Sequence, residues 1–149
     1  MAGTVIRITR QFTFEMAHAL YGHDGLCKNI HGHSYELHVT VSGVPKESDA
    51  KNGMVMDFGE LKALVTREVL TTYDHELVLN ANSPHARLKA LAENFERIIY
   101  MNRQPTCENL VAAIAGRLQQ CLPVSVVLQR VWLRETASGS CEWLREDNF

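Results

Sequence analysis

Between Ile6 and Met16 the even positions Ile6, Ile8, Phe12, Phe14 and Met16 are apolar, Arg10 being the exception. The odd positions Arg7, Thr9, Gln11, Thr13 and Glu15 are polar. A period of two sends alternate side chains to opposite faces, so the segment predicts a half-buried strand, with His18 continuing its apolar face. After a Gly-bearing loop over about residues 21–30 the period resumes. Tyr35, Leu37, Val39 and Val41 share one face, and Glu36, His38, Thr40 and Ser42 the other. Gly43, Pro45 and Gly53 then mark a polar linker or hairpin connection.

The pattern changes at Asp57, which is placed as a helix N-cap with Glu60 in the capping-box position. Phe58, Leu61, Leu64, Val65 and Val69 follow as an apolar stripe at helical spacing. Asn80 to Pro84 breaks the chain. Leu88, Leu91, Ala92 and Phe95 fit a short helical segment and Arg97–Tyr100 fits a strand; the pattern leaves both open. A further helix is predicted with Thr106 as its N-cap, running through Leu110, Ile114 and Leu118 until Pro123. Val124–Glu135 and Ser140–Leu144, joined by Ser138-Gly139, read as a closing hairpin. The order strand, strand, helix, helix, strand, strand predicts an α+β layer, with helices against one face of an antiparallel sheet.

A chain of 149 residues is one domain, residues 1–149, with too little length for two separate cores. Hydrophobic residues at 46% and charged residues at 21% exclude a disordered or low-complexity chain. The net charge of −2 lacks the basic excess of a nucleic-acid binder. No apolar run approaches the ~20 residues of a membrane span, and Arg7 and Arg10 interrupt any secretory core. The expectation is a soluble cytoplasmic protein with neither nucleic-acid nor membrane partners. The four cysteines show no C-x-x-C spacing, so free thiols are expected.

Histidine changes the picture. Of seven, His18, His23, His31 and His33 fall within sixteen residues. Residues two apart on a strand share a face, so the imidazoles of His31 and His33 can converge on one ion. Gly32 is expected to let the backbone pass close behind it. His18 has the phase to complete a three-histidine set, a donor group that favours zinc and leaves a position open for water or substrate. Cys27, four residues before His31, is either an incidental thiol or a thiolate base beside the metal. Tyr73-Asp74-His75 is either a polar helix exit or a carboxylate holding a proton-exchanging imidazole. Glu135 shares strand parity with Val127, Val131 and Leu133, which makes it an inward-facing carboxylate in want of a partner, or a strand-end salt bridge with an arginine such as Arg134.

Six segments together resemble the family of 6-pyruvoyl- and 6-carboxytetrahydropterin synthases. They are Phe12-Thr13-Phe14-Glu15-Met16-Ala17-His18, Cys27-Lys28-Asn29-Ile30-His31-Gly32-His33, Gly53-Met54-Val55-Met56-Asp57-Phe58, Tyr73-Asp74-His75-Glu76-Leu77, Pro105-Thr106-Cys107-Glu108-Asn109 and Arg134-Glu135-Thr136. They stand in family order across nearly the whole chain. The resemblance implies a T-fold, a four-stranded antiparallel sheet with two helices packed on one face. It further implies subunits that join into a trimeric barrel, two trimers forming a homohexamer with active sites at subunit borders. It places zinc on His18, His31 and His33, the base on Cys27, a proton relay on Asp74 and His75, and a pterin anchor on Glu135. Thr106 and Glu108 match a segment lining the same pocket.

Only three residues separate Cys27 from His31, a spacing that resembles the bacterial carboxytetrahydropterin synthases of the queuosine pathway. The activity implied is a zinc-dependent lyase reaction turning 7,8-dihydroneopterin triphosphate into 6-carboxy-5,6,7,8-tetrahydropterin, acetaldehyde and triphosphate. Lys28, Arg103 and His23 are candidates for the triphosphate. Three other readings stay open: formation of 6-pyruvoyltetrahydropterin on the same site, a zinc hydrolase or lyase of another substrate, and a non-catalytic pterin- or metal-binding scaffold.

Overall fold

The computed structural model describes residues 3–149. In chain order its strands are β1 (Ile6–His18), β2 (His31–Gly43), β3 (Glu76–Asn80), β4 (Ile98–Met101), β5 (Val127–Arg134) and β6 (Ser140–Leu144). Its helices are α1 (Phe58–Val65), α2 (Thr71–Tyr73), α3 (Lys89–Asn94) and α4 (Cys107–Cys121). β1 and β2 pair antiparallel along their full length, from Ile6 opposite Gly43 to His18 opposite His31. β2 pairs antiparallel with β5, and β5 with β6.

The sheet differs from the expected four antiparallel strands: it has six, of mixed direction, and β1-β2-β5-β6 form its antiparallel part. The full order is β4-β3-β1-β2-β5-β6, with β3 parallel to β1 and β4 parallel to β3. β3 escaped the periodicity because three of its five residues, Glu76, Val78 and Leu79, are buried, and they do not alternate strictly. A short strand covered on both sides loses the period of two and cannot be told from a helix exit by pattern alone. The segment left open between helix and strand contains both: α3, then β4.

The two longer helical stretches pack on one face of the sheet. Phe12, Phe14 and Met16 of β1 and Tyr35, Leu37, Val39 and Val41 of β2 meet Leu61, Leu64 and Val65 of α1 and Leu110, Ile114 and Leu118 of α4 in one core. Asp57 caps α1 as expected, its Oδ1 accepting from Gly59 N–H at 2.6 Å. Glu60 does not close a capping box with it; its carboxylate lies 3.9 Å from Lys51 Nζ. Phe58, placed in the apolar stripe, is exposed. The buried stripe instead continues as Leu61, Val65, Val69 and Tyr73. Steps of four overrun the α repeat of about 3.6 residues, and a π turn at Thr66–Leu70 absorbs the excess.

Candidate metal centre and active site

Three imidazoles gather where β1 and β2 end. His18 and His31 are directly opposed across the strand pair, and His33 lies two residues further along β2 on the same face. Their ligand atoms all lie within 4.8 Å of one another. The alternation that buries Phe12, Phe14 and Met16 also buries His18, so its imidazole is set into the edge of the apolar core. Burial pushes His18 and His33 below the ordinary histidine range, although for His18 the bond to Pro105 partly opposes this.

Two backbone carbonyls orient the rings. His18 Nδ1 is 2.6 Å from the Pro105 carbonyl, and His31 Nδ1 is 2.7 Å from that of Asn29. A carbonyl only accepts, so each ring carries its proton on Nδ1 and presents the lone pair of Nε2. These two Nε2 atoms then face each other at 3.1 Å. Nε2 of His33 is buried without a hydrogen-bond partner among the described residues. Two unprotonated imidazole nitrogens converging beside a third that has no partner are an arrangement a divalent cation satisfies, and a three-histidine set suits zinc. Gly32 has a different role from the one expected. It faces the side away from the imidazoles, where an added Cβ would stand 3.3 Å from the Met16 carbonyl.

Glu135 follows the last residue of β5 and points to the same place. Its Oε1 is 3.7 Å from His18 Nε2 and 3.9 Å from His33 Nε2. Tyr35 donates its hydroxyl to this oxygen at 3.2 Å and packs edge-on against the rings of His18 and His33. Arg134 is paired with Glu36 instead, which removes the strand-end salt bridge as the explanation for Glu135. Tyr35 is the residue that sequence reasoning missed. The signal was present, since Tyr35 continues the His31, His33 parity on β2.

The loop carrying Cys27 is closed at its base by His18 and His31. Cys27 lies on a short 3-10 turn, Leu26–Lys28, and its carbonyl accepts from Leu20 N–H at 2.9 Å. Cys27 is a free, half-buried cysteine on the loop that joins His18 to His31. Thr106 caps α4, its hydroxyl accepting from Asn109 N–H at 3.3 Å, and Glu108 lies exposed on the first turn. This capping segment is tied to the cluster through Pro105, one residue earlier. His23 turns back on its own loop, where Nδ1 accepts from Gly25 N–H.

Asp74 and His75 stand on another corner, between α2 and β3, where their side chains pair at 3.0 Å. A cavity of about 740 Å³ is lined by both His33 and His75, together with Glu15, Ser34, Phe95 and Arg97. Among the described residues Cys27, Thr106, Glu108 and Glu135 lie outside its lining. One chain thus assembles the histidines, Glu135, Tyr35 and the Cys27 loop, and presents the Asp74–His75 pair outward from a neighbouring surface.

The family model described as 6-pyruvoyl tetrahydropterin synthase matches residues 7–146. The chain belongs to the 6-pyruvoyl tetrahydropterin synthase family. Within it, the chain is 34% identical to 6-carboxy-5,6,7,8-tetrahydropterin synthase of Haemophilus influenzae, over 93% of this chain and 99% of that one. It is 33% identical to the enzyme of that name from Rickettsia bellii, over 76% of this chain and 80% of the other. Among solved structures, the fold is shared with an uncharacterised protein from Wolinella succinogenes at a TM-score of 0.79, with 17% identity, 96% of this chain and 99% of that one being covered. It is shared also with 6-pyruvoyl tetrahydropterin synthase of Caenorhabditis elegans at a TM-score of 0.70, with 23% identity and coverage of 97% and 98%. No helix among the described residues is long and apolar enough to cross a membrane.

Proposed function

We propose that this chain is a zinc-dependent lyase that converts 7,8-dihydroneopterin triphosphate to 6-carboxy-5,6,7,8-tetrahydropterin, acetaldehyde and triphosphate, a step of queuosine biosynthesis. The observation that carries the reading is the position of Glu135, whose carboxylate lies within 4 Å of two of three converging imidazoles. A carboxylate can accept paired N–H bonds from a pterin ring, and a metal beside it would meet the side chain of the ring it holds. Family membership and likeness to carboxytetrahydropterin synthases supply the substrate class.

His18, His31 and His33 would hold the zinc through Nε2. When bound, zinc supplies Lewis acidity toward the oxygens of the substrate side chain. Glu135 fixes the pterin ring, and the Tyr35 hydroxyl keeps one carboxylate oxygen aimed into the pocket. Cys27, on the loop between His18 and His31, removes a side-chain proton. His75 exchanges protons through Nε2, because Asp74 occupies its Nδ1. The outward presentation of His75 favours a relay that serves a site completed by a second subunit, in a homohexamer built as a dimer of trimers.

Mass spectrometry of the products after incubating zinc-loaded protein with 7,8-dihydroneopterin triphosphate tests the reading. Formation of 6-carboxytetrahydropterin with acetaldehyde supports it. Accumulation of 6-pyruvoyltetrahydropterin keeps the site and moves the chain to the other branch of the family. Unchanged substrate removes the lyase assignment and favours a binding scaffold.

A further inference from the structure

Cys107 and Cys141 are 34 positions apart in sequence, yet their sulfur atoms lie 3.0 Å from one another. The fold makes the contact. Cys107 is the first residue of α4, and Cys141 faces Leu133 across the β5–β6 pair. Cys107 also donates to the Leu133 carbonyl at 3.5 Å, which holds its sulfur on this side of the helix. Both are free thiols, Cys107 buried and Cys141 half-buried. Neither has a role in the chemistry above, and Cys27 sits in a different loop.

We propose that Cys107 and Cys141 are a redox modification site, closing reversibly to a disulfide that ties the start of α4 to β6. The sulfur atoms need to approach from 3.0 Å to about 2.05 Å, a shift of about 1 Å. The more accessible Cys141 reacts first. Cys141 donates to Cys107 Sγ while Cys107 donates to the Leu133 carbonyl, and the pairing of the two sulfur atoms lowers the pKa of Cys141 and, with burial, pushes the Cys107 thiol up.

The oxidant is a small-molecule disulfide. Cys141 Sγ attacks one of its sulfur atoms, forming a mixed disulfide and expelling one thiolate. Formation of that bond removes the negative charge that held the Cys107 proton. Cys107 then gives its proton to the expelled thiolate, and its sulfur attacks Cys141 Sγ. The bond to the small molecule breaks and a second thiolate leaves. Two protein thiols are oxidised and one external disulfide is reduced to two thiols. The closed link lies two residues from Pro105, whose carbonyl orients His18, so oxidation fastens the segment that holds a metal ligand.

The test is incubation of the folded, zinc-loaded chain with excess oxidised glutathione, followed by acid quenching, intact mass and peptide mapping. The expected result is loss of two of the four thiols to one Cys107–Cys141 linked peptide, reversed by dithiothreitol. Cys141→Ser should lose the linked peptide altogether. Should that variant fail to fold, the wild-type peptide map decides alone. Glutathione retained on Cys107 or Cys141 without the link would overturn the proposal, as would both thiols surviving untouched while Cys27 reacts.

Discussion

Asp74 Oδ1 stands 3.0 Å from His75 Nδ1, a contact that adjacent residues on an extended segment cannot make. The backbone supplies it: His75 takes a left-handed φ of 62°, turning its ring back over Asp74. The neighbouring strand holds that conformation from both sides. Glu15 N–H donates to Asp74 Oδ1 at 2.9 Å, and His75 N–H donates to the Glu15 carbonyl at 2.6 Å. Arg97 adds a bond to the Asp74 carbonyl at 2.9 Å and an ion pair to Glu76 at 2.8 Å. The carboxylate occupies Nδ1 and leaves Nε2 free on an exposed ring.

Removing the charge of Asp74 while keeping its acceptor oxygen tests this pairing. Asp74→Asn should lower turnover by about 10²-fold, the lower end of what positioned proton transfer contributes, with metal content unchanged. Steady-state rates and metal analysis on the same preparation check it; wild-type turnover would deny the relay.

The histidine cluster gives a direct expectation for metal. Wild type should bind about one zinc per chain, whereas His18→Ala and His31→Ala should retain little after dialysis and lose turnover. Chelator treatment of wild type should lower its melting temperature, and zinc should restore it. Full zinc retention in both variants would rule out the ligand assignment.

Cys27 is assigned chemistry and no metal bond. Cys27→Ala should abolish turnover yet hold zinc at the wild-type level. Loss of zinc in that variant would make the thiol a ligand and cancel its role as base.

For Glu135 the readout is affinity. Glu135→Gln replaces one accepting oxygen with a donor, which should weaken binding of a pterin lacking the triphosphate side chain by about 30-fold, roughly 2 kcal/mol. Calorimetric titration measures this, and unchanged affinity would remove the anchor role.

Asp57 supplies a stability test away from the site. Lys51 Nζ at 2.9 Å, and then Gly59 N–H, hold its carboxyl below the ordinary carboxylate range. Unfolding releases that preference, so the contribution is complete above the unfolded carboxylate value, near pH ~4, and fades as pH falls through the lower folded value. Asp57→Asn keeps a good N-cap and should melt below wild type at neutral pH, the gap closing in acid. A gap that widens in acid would contradict the pairing.

Much of this molecule is local and therefore legible in the sequence. Alternation along β1 and β2 placed His18, His31 and His33 on one buried-facing side, because strand periodicity fixes which side chains share a face. The caps Asp57 and Thr106 marked two helix starts, because a side-chain acceptor next to unpaired N–H groups is a short-range device. What only the tertiary structure decided is non-local or hidden from periodicity. β3 and β4 join the sheet through parallel pairing, and a short strand buried on both sides carries no alternating signal. Pro105 reaches His18, and Tyr35 reaches Glu135 across 100 positions, because chain folding sets those distances. The Asp74–His75 pair needed a left-handed backbone that residue types do not announce; Glu15, far away in sequence, holds it there.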